Sequence, residues 1–229
     1  MTTLGLIGSG NIGGTLARLA VAAGCHVVMS NSRGPDTLAD LVAALGPLAR
    51  AATPAEVASA ADLVVVTVPL GRYRDLPLPA LAGTIVLDTM NYYPARDGTI
   101  ATLEDESTTT SQLLAAALPD SRVVKVFNNI FFAHLAALPR PPGAPDRSAL
   151  PIAGDDADAK ARVTALLDSL GYDTVDVGPL AEGWRFQRDT AAYGLPYAAD
   201  PLDWAAGARP ADAATVAVAV AAARRYRDG

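Results

Sequence analysis

The chain has 229 residues, 51% of them hydrophobic and 18% charged, which suffices for one large α/β domain with an appendage. A net charge of −6 excludes the basic footprint of a nucleic-acid binder and disfavours attraction to an anionic membrane surface. The single cysteine, Cys25, excludes an intramolecular disulfide and fits a reducing, cytoplasmic setting.

The first residues run straight into Leu4-Gly5-Leu6-Ile7, which reads as a strand over 2–7 rather than a signal peptide. A helix follows over 11–23, with Ile12, Leu16, Leu19, Ala20 and Ala23 on one face and Gly24 as its stop. His26–Ser30 reads as a buried strand, and Leu38, Leu41, Val42 and Leu45 repeat the helical spacing before Gly46-Pro47. A weak strand at 50–52, a helix over 54–60 and the strongest strand of the chain, 63–68, come next. Strands at 84–87 and 123–127 bracket a short helix at 111–118, which Pro119 ends. The apolar runs 63–71 and 213–223 fall short of the ~20 residues of a membrane helix. Near-continuous apolar strands alternating with helices predict a Rossmann-type, doubly wound α/β fold with a mostly parallel sheet.

After a proline-rich break at 139–145 the pattern resumes as a strand at 150–153, a helix capped by Asp155-Asp156 and a strand at 174–177. These read as outer strands of the same sheet. Beyond Pro179 the chain turns aromatic, with Trp184, Phe186, Tyr193, Tyr197 and Trp204. The last segment, 211–226, alternates Val and Ala like a strand. Its alanine content, Asp212 in the first turn and Arg224-Arg225 in the last favour helix. The expected division is a dinucleotide-binding domain over 1–180 and a C-terminal segment over 181–229 that walls the substrate or contacts a second subunit of a homodimer.

The decisive motif is Gly8-Ser9-Gly10-Asn11-Ile12-Gly13, a G-x-G-x-x-G placed between the first strand and the first helix. Gly8 serves the tight turn, Gly10 lets backbone approach a pyrophosphate, and Gly13 lets helix and strand pack closely. The helix start adds free N–H groups and positive potential. An NAD site usually carries Asp or Glu after the second strand, to bond the ribose 2′-hydroxyl. Here the stretch is Asn31-Ser32-Arg33, and a guanidinium beside neutral donors suits a 2′-phosphate, so NADP(H) is the expected cofactor. The competing reading is a polar turn with a surface arginine.

Two further strand ends are expected to face the crevice, with a third as a candidate. Val68, Pro69 and Leu70 are assigned to the nicotinamide end, Met90 and Asn91 to the cofactor, and Tyr92, Asn128 and Asn129 to the substrate. An ordinary turn role is the alternative for each asparagine. His26 reads as structural, and His134 as a half-buried helix residue. No Ser-His-Asp arrangement, Cys/His metal cluster or phosphate-binding G-x-x-x-x-G-K-[ST] loop stands out, and no catalytic residue is assigned. The absence of an evident general acid suits hydride transfer between two bound cofactors.

These residues resemble the coenzyme F420-dependent NADP oxidoreductase family, whose Rossmann domain is also similar to the reductase portion of membrane ferrireductases. The resemblance runs through Gly8–Gly13, Asn31-Ser32-Arg33, Asp88-Thr89-Met90-Asn91-Tyr92-Tyr93 and Val123-Val124-Lys125-Val126-Phe127-Asn128. It continues in 150–156 and Asp176-Val177-Gly178-Pro179-Leu180, and departs after Leu180. It implies hydride exchange between NADPH and a second redox partner, often a deazaflavin such as coenzyme F420. It also implies that Ser9, Asn31, Ser32 and Arg33 hold the adenosine and phosphate end. A small organic acceptor, an imine or carbonyl reductase of a biosynthetic pathway, and a non-catalytic NADP sensor remain as alternatives.

Overall fold

The structure is a computed structural model and describes residues 2–226. Eight strands form one sheet: β1 (Thr3–Ile7), β2 (His26–Ser30), β3 (Ala49–Ala51), β4 (Leu63–Val66), β5 (Ile85–Asp88), β6 (Arg122–Lys125), β7 (Ala149–Gly154) and β8 (Asp173–Asp176). Ten α-helices accompany them among the described residues. The first five are α1 (Asn11–Ala22), α2 (Ala39–Leu45), α3 (Pro54–Ala60), α4 (Leu78–Leu81) and α5 (Pro94–Asp97). The others are α6 (Ala101–Glu104), α7 (Thr110–Ala117), α8 (Phe132–Ala137), α9 (Ala157–Ser169) and α10 (Ala213–Ala221).

The strand order is β3-β2-β1-β4-β5-β6-β7-β8. The first six are parallel and carry the 3-2-1-4-5-6 order of the doubly wound dinucleotide fold. β7 joins β6 antiparallel and β8 runs parallel to β7, so the late strands do extend the same sheet. Leu63-Val64-Val65-Val66 is buried at every position because helices cover both faces of the sheet. One apolar cluster contains Leu4, Leu6, Val65 and Leu87, and the other contains Val64, Val66, Val86 and Leu114.

Several boundaries differ from the sequence expectation. β3 starts one residue earlier than 50–52, and β4 ends at Val66, not at residue 68. Thr67-Val68-Pro69 thereby leaves the sheet as the loop that turns over the crevice. α10 is a helix, as alanine content favours, but it is shorter than 211–226. Asp212 is its N-cap, accepting Thr215 N–H at 2.8 Å, and both arginines lie past its end. Asp156 likewise caps α9 through Ala159 N–H at 2.7 Å, whereas Asp155 is drawn away to bond Leu180 N–H at 2.9 Å. Ala211, Val216 and Val220 of the C-terminal segment pack in the same cluster as Leu150 and Ile152 of β7.

Candidate functional site

The β1–α1 turn is built as its glycines require. Gly8 has φ of 116°, and a Cβ there would lie 2.3 Å from the Thr67 carbonyl oxygen. A Cβ on Gly13 would lie 2.2 Å from the Gly8 carbonyl oxygen, so this glycine lets the helix seat on the turn. Gly10 is different: a Cβ there meets nothing within 4 Å. Packing does not demand a glycine at that point, and the space above its backbone is open. Gly10 is also the N-cap of α1, no side chain caps it, and no acidic residue stands in the first turn. The N–H groups and positive end of a 12-residue helix are left for an anion.

Two cavities flank this turn. One, of about 510 Å³, is lined by Gly8, Ser9, Gly10, Asn31, Ser32 and Arg33, with Arg72 and Asp75 opposite. The other, of about 440 Å³, is lined by Gly10, Asn11, Ile12, Met90, Asn91 and Asn128, with aromatic walls from Tyr93, Phe131, Phe132, Tyr193 and Trp204. Gly10, Thr67, Val68 and Pro69 line both, so the cavities join as one crevice across the ends of β1 and β4. That is the place where strand order reverses and ligands bind in such sheets.

Asn31 frames its loop rather than offering a free amide. Its Oδ1 accepts Arg33 N–H at 2.9 Å and its Nδ2 donates to Thr37 Oγ1 at 2.9 Å. Ser32 and Arg33 are the side chains this frame presents to the cavity. Three other assigned residues lie off the crevice. Leu70 is fully buried in the core, because the chain after Pro69 turns inward into a short 3-10 segment. Tyr92 lines a separate cavity, with its hydroxyl donating to Glu104 Oε1 at 2.6 Å. Asn129 is fully buried and donates to the Ala192 carbonyl at 3.0 Å, tying down the C-terminal segment. His134 is buried rather than half-buried, with Nε2 at 2.8 Å from the Trp204 carbonyl oxygen.

Asn128 keeps a free group at the crevice. Its Nδ2 donates to the Phe186 carbonyl at 2.8 Å and to Asn91 Oδ1 at 3.2 Å. Since a carbonyl only accepts, the remaining atom is the amide oxygen, and this buried Oδ1 has no partner. An unsatisfied buried acceptor beside a cavity fits the carboxamide N–H₂ of a nicotinamide. The preceding residue, Phe127, holds φ of 63°, an uncommon value for a bulky side chain.

Behind these loops sits a buried ion pair. Lys125 Nζ lies 3.6 Å from Asp88 Oδ2, and neither side chain is exposed. The ammonium donates to the Met90 carbonyl and to Thr110 Oγ1, each at 3.0 Å. Asp88 accepts Ser111 Oγ–H at 2.6 Å and Met90 N–H at 2.8 Å. Both partners thus grip Met90, fixing the loop that lines the crevice. Burial pushes the Lys125 pKa down, and the Asp88 carboxylate opposes that shift. Sequence reasoning gave this pair no role, although a lysine within Val123-Val124-Lys125-Val126 was a signal for a buried cation needing an anion.

A second carboxylate ties the turn after β4 to the loop after β5. Asp97 accepts Gly71 N–H at 3.1 Å, Tyr93 N–H at 2.9 Å and Arg96 Nε–H at 2.8 Å. Burial raises its pKa, but these hydrogen bonds outweigh that and hold it below the ordinary carboxylate value. Arg96 also donates to the Asn91 carbonyl at 2.9 Å, and Asn91 Nδ2 donates to the Asn128 carbonyl at 2.7 Å. The turn after β4 and the loops after β5 and β6 therefore form one hydrogen-bonded frame.

The comparisons agree with this architecture. The family profile described as NADP oxidoreductase, coenzyme F420-dependent, matches residues 3–92. A hypothetical protein of Sinorhizobium meliloti has a solved structure similar to this chain at 31% identity and a TM-score of 0.71, covering 82% of this chain and 91% of the other. A protein of Arthrobacter sp. FB24, provisionally named an F420-dependent NADP-reductase, is 26% identical with a TM-score of 0.65, covering 78% and 85%. Metalloreductase STEAP3 of Rattus norvegicus is 32% identical over 180 residues. That alignment covers 78% of this chain, which spans only 34% of the rat protein. Solved imine reductases and reductive aminases, at 16–20% identity, share the fold. The profile covers β1 through the β5 loop, so residues 3–92 of this chain are similar to the coenzyme F420-dependent NADP oxidoreductase family, and the sheet as a whole is similar to the solved Arthrobacter structure.

Proposed function

We propose that this protein transfers a hydride between NADPH and a second redox partner, coenzyme F420 or a small organic acceptor. The observation that carries the reading is the single crevice with two unlike ends. At one end Ser32 and Arg33 suit the adenosine 2′-phosphate, with Arg72 facing them. In the middle, Gly8–Gly10 and the start of α1 suit the pyrophosphate. At the other end Val68, Pro69, Met90, Asn91 and the free Asn128 oxygen suit the nicotinamide.

NADPH, when bound, supplies the hydride. The chain's own part is to hold the dihydronicotinamide against Val68 and Pro69, and to keep water out with Phe131, Phe132 and Trp204. Phe131 and Trp204 lie 6.2 Å apart by ring centroids, and Tyr193 and Trp204 lie 5.6 Å apart. That wall favours a flat, conjugated acceptor. The Tyr93–Tyr193 hydroxyl pair at the same end favours carbonyl or imine reduction as the second reading. We further propose a cytoplasmic homodimer, the single cysteine fitting a reducing compartment.

The test is titration with NADPH and NADH by fluorescence, then addition of F420 while following absorbance. Saturable, NADPH-selective binding with F420 reduction is expected. Absence of NADPH binding overturns the reading, and binding without F420 reduction shifts the acceptor to a carbonyl, imine or quinone. Sedimentation as a monomer overturns the dimer.

A further inference from the structure

Tyr93, from the β5 loop, and Tyr193, from the C-terminal segment, meet hydroxyl to hydroxyl at 2.8 Å in the wall of the nicotinamide-end cavity. Two phenols carry two hydroxyl hydrogens, and their mutual bond uses one. Neither oxygen bonds any other protein group among the described residues. One O–H is therefore left to a ligand in the cavity that both rings line.

Their surroundings decide which phenol donates outward. Either phenol can donate across their bond; burial, then the hydrogen bond to Tyr93, raises the Tyr193 pKa, so Tyr193 is the poorer source of a proton for a ligand. Tyr93 has two guanidiniums against its ring, Arg96 at 4.7 Å and Arg188 at 5.0 Å from the centroid. Positive charge so placed stabilises negative charge growing on the phenol oxygen. The hydrogen bond received from Tyr193 strengthens as that charge grows.

The geometry points to Tyr93 as a catalytic acid that protonates the second substrate, with Tyr193 as the residue that positions and re-protonates it. This rests on the hydride-transfer reading above. The substrate class is an acceptor with a polarised C=X bond, X being nitrogen or oxygen, or its conjugated equivalent in a flat ring. The acceptor carbon receives the hydride from NADPH, the π pair moves to X, and X takes the Tyr93 hydroxyl hydrogen as a proton. The products are NADP⁺, the reduced acceptor bearing C–H and X–H, and a Tyr93 phenolate. Tyr193 passes its proton to that phenolate and regains one from water.

The experiment compares wild type, Tyr93→Phe and Tyr193→Phe in three measurements. These are the NADPH dissociation constant by fluorescence, the melting temperature, and the single-turnover rate in H₂O and D₂O. The acceptor is F420, followed by a carbonyl, an imine and a quinone. Both variants should bind NADPH and melt as wild type does. Tyr93→Phe should lose about 100- to 10,000-fold in single-turnover rate on the acceptor that wild type reduces, and lose its solvent isotope effect. Tyr193→Phe should lose less and keep the isotope effect. A wild-type rate in Tyr93→Phe overturns the proposal. So does a rate loss matched by equal loss of NADPH affinity or of melting temperature, which marks a wall residue. Reduction of a quinone or carbonyl but not F420 overturns the F420 assignment alone, and the tyrosine comparison then runs on that acceptor. If NADPH-bound wild type reduces nothing, both fall.

Discussion

Gly10→Ala separates a ligand cradle from a packing glycine more cleanly than any other change in the chain. Gly10 has φ of −71° and ψ of −164°, a conformation alanine adopts freely, and its Cβ would meet no atom within 4 Å. The folded protein should therefore be nearly indifferent. Reduced freedom in the unfolded chain stabilises by about 0.4–1 kcal/mol, against a loss of a few tenths or somewhat more from alanine's poorer N-capping. The methyl would, however, stand where backbone must approach a pyrophosphate. Losing one hydrogen bond to a charged oxygen costs about 1.5–3 kcal/mol, which is roughly a 12- to 150-fold weaker NADPH dissociation constant. Fluorescence titration with NADPH, paired with a thermal melt, reads both quantities. Gly13→Ala is the control that must behave otherwise, since its Cβ would lie 2.2 Å from the Gly8 carbonyl oxygen and something must shift. A Gly10→Ala protein that melts normally and binds NADPH with wild-type affinity would refute the cradle.

Arg33→Ala should weaken NADPH by about 10- to 150-fold while leaving NADH unchanged, as measured by competitive titration, because only the 2′-phosphate differs between the two. Lys125→Met leaves the Asp88 carboxylate buried and unpaired, with neither side chain exposed in the wild type. It should cost about 3–5 kcal/mol, or roughly 6–20 °C in melting temperature, and Asp88→Asn on that background should restore part of the loss. Asp97 has a folded-state pKa below its unfolded value of about 3.9, so its stabilisation is present above that pH and is lost as pH falls through the folded value. NADPH affinity followed from pH 5 towards 3 should fall more steeply in wild type than in Asp97→Asn, which has already lost the charge.

Much of this was legible because local rules and the global fold agree in the first half of the chain. Gly8, Gly10 and Gly13 sit between a buried strand and an apolar-faced helix, so spacing and context together led to the turn. The strands from Leu63 and Val123 were plain, since a fully buried parallel strand has no polar side to blur it. What failed was direction after a strand ends. Val68-Pro69-Leu70 looks uniform in sequence, yet Leu70 turns into the core while Val68 and Pro69 line both cavities. Tyr92 and Tyr93 are indistinguishable as letters, and one residue of extended chain sends them to separate cavities. In the sequence Tyr193 and Trp204 are only members of an aromatic stretch. Their place opposite Phe131 depends on contacts across some 60 residues or more of sequence, such as Asn129 to Ala192, which no local pattern encodes.

Those long-range contacts also set the C-terminal segment against the crevice. A Rossmann sheet alone leaves the nicotinamide end open, because its loops reach the crevice from one side. Here Asn128 holds the Phe186 carbonyl, Asn91 Oδ1 accepts Arg188 N–H at 3.3 Å, and His134 holds the Trp204 carbonyl. The residues that grip the segment thus stand on or beside the loops that line the crevice. Direct hydrogen bonds join the β5 and β6 loops to the segment that carries Tyr193 and Trp204. Asn91→Ala should therefore weaken acceptor binding more than NADPH binding. Separate titrations of the two ligands with the variant measure this, and equal losses would show that Asn91 serves the cofactor alone.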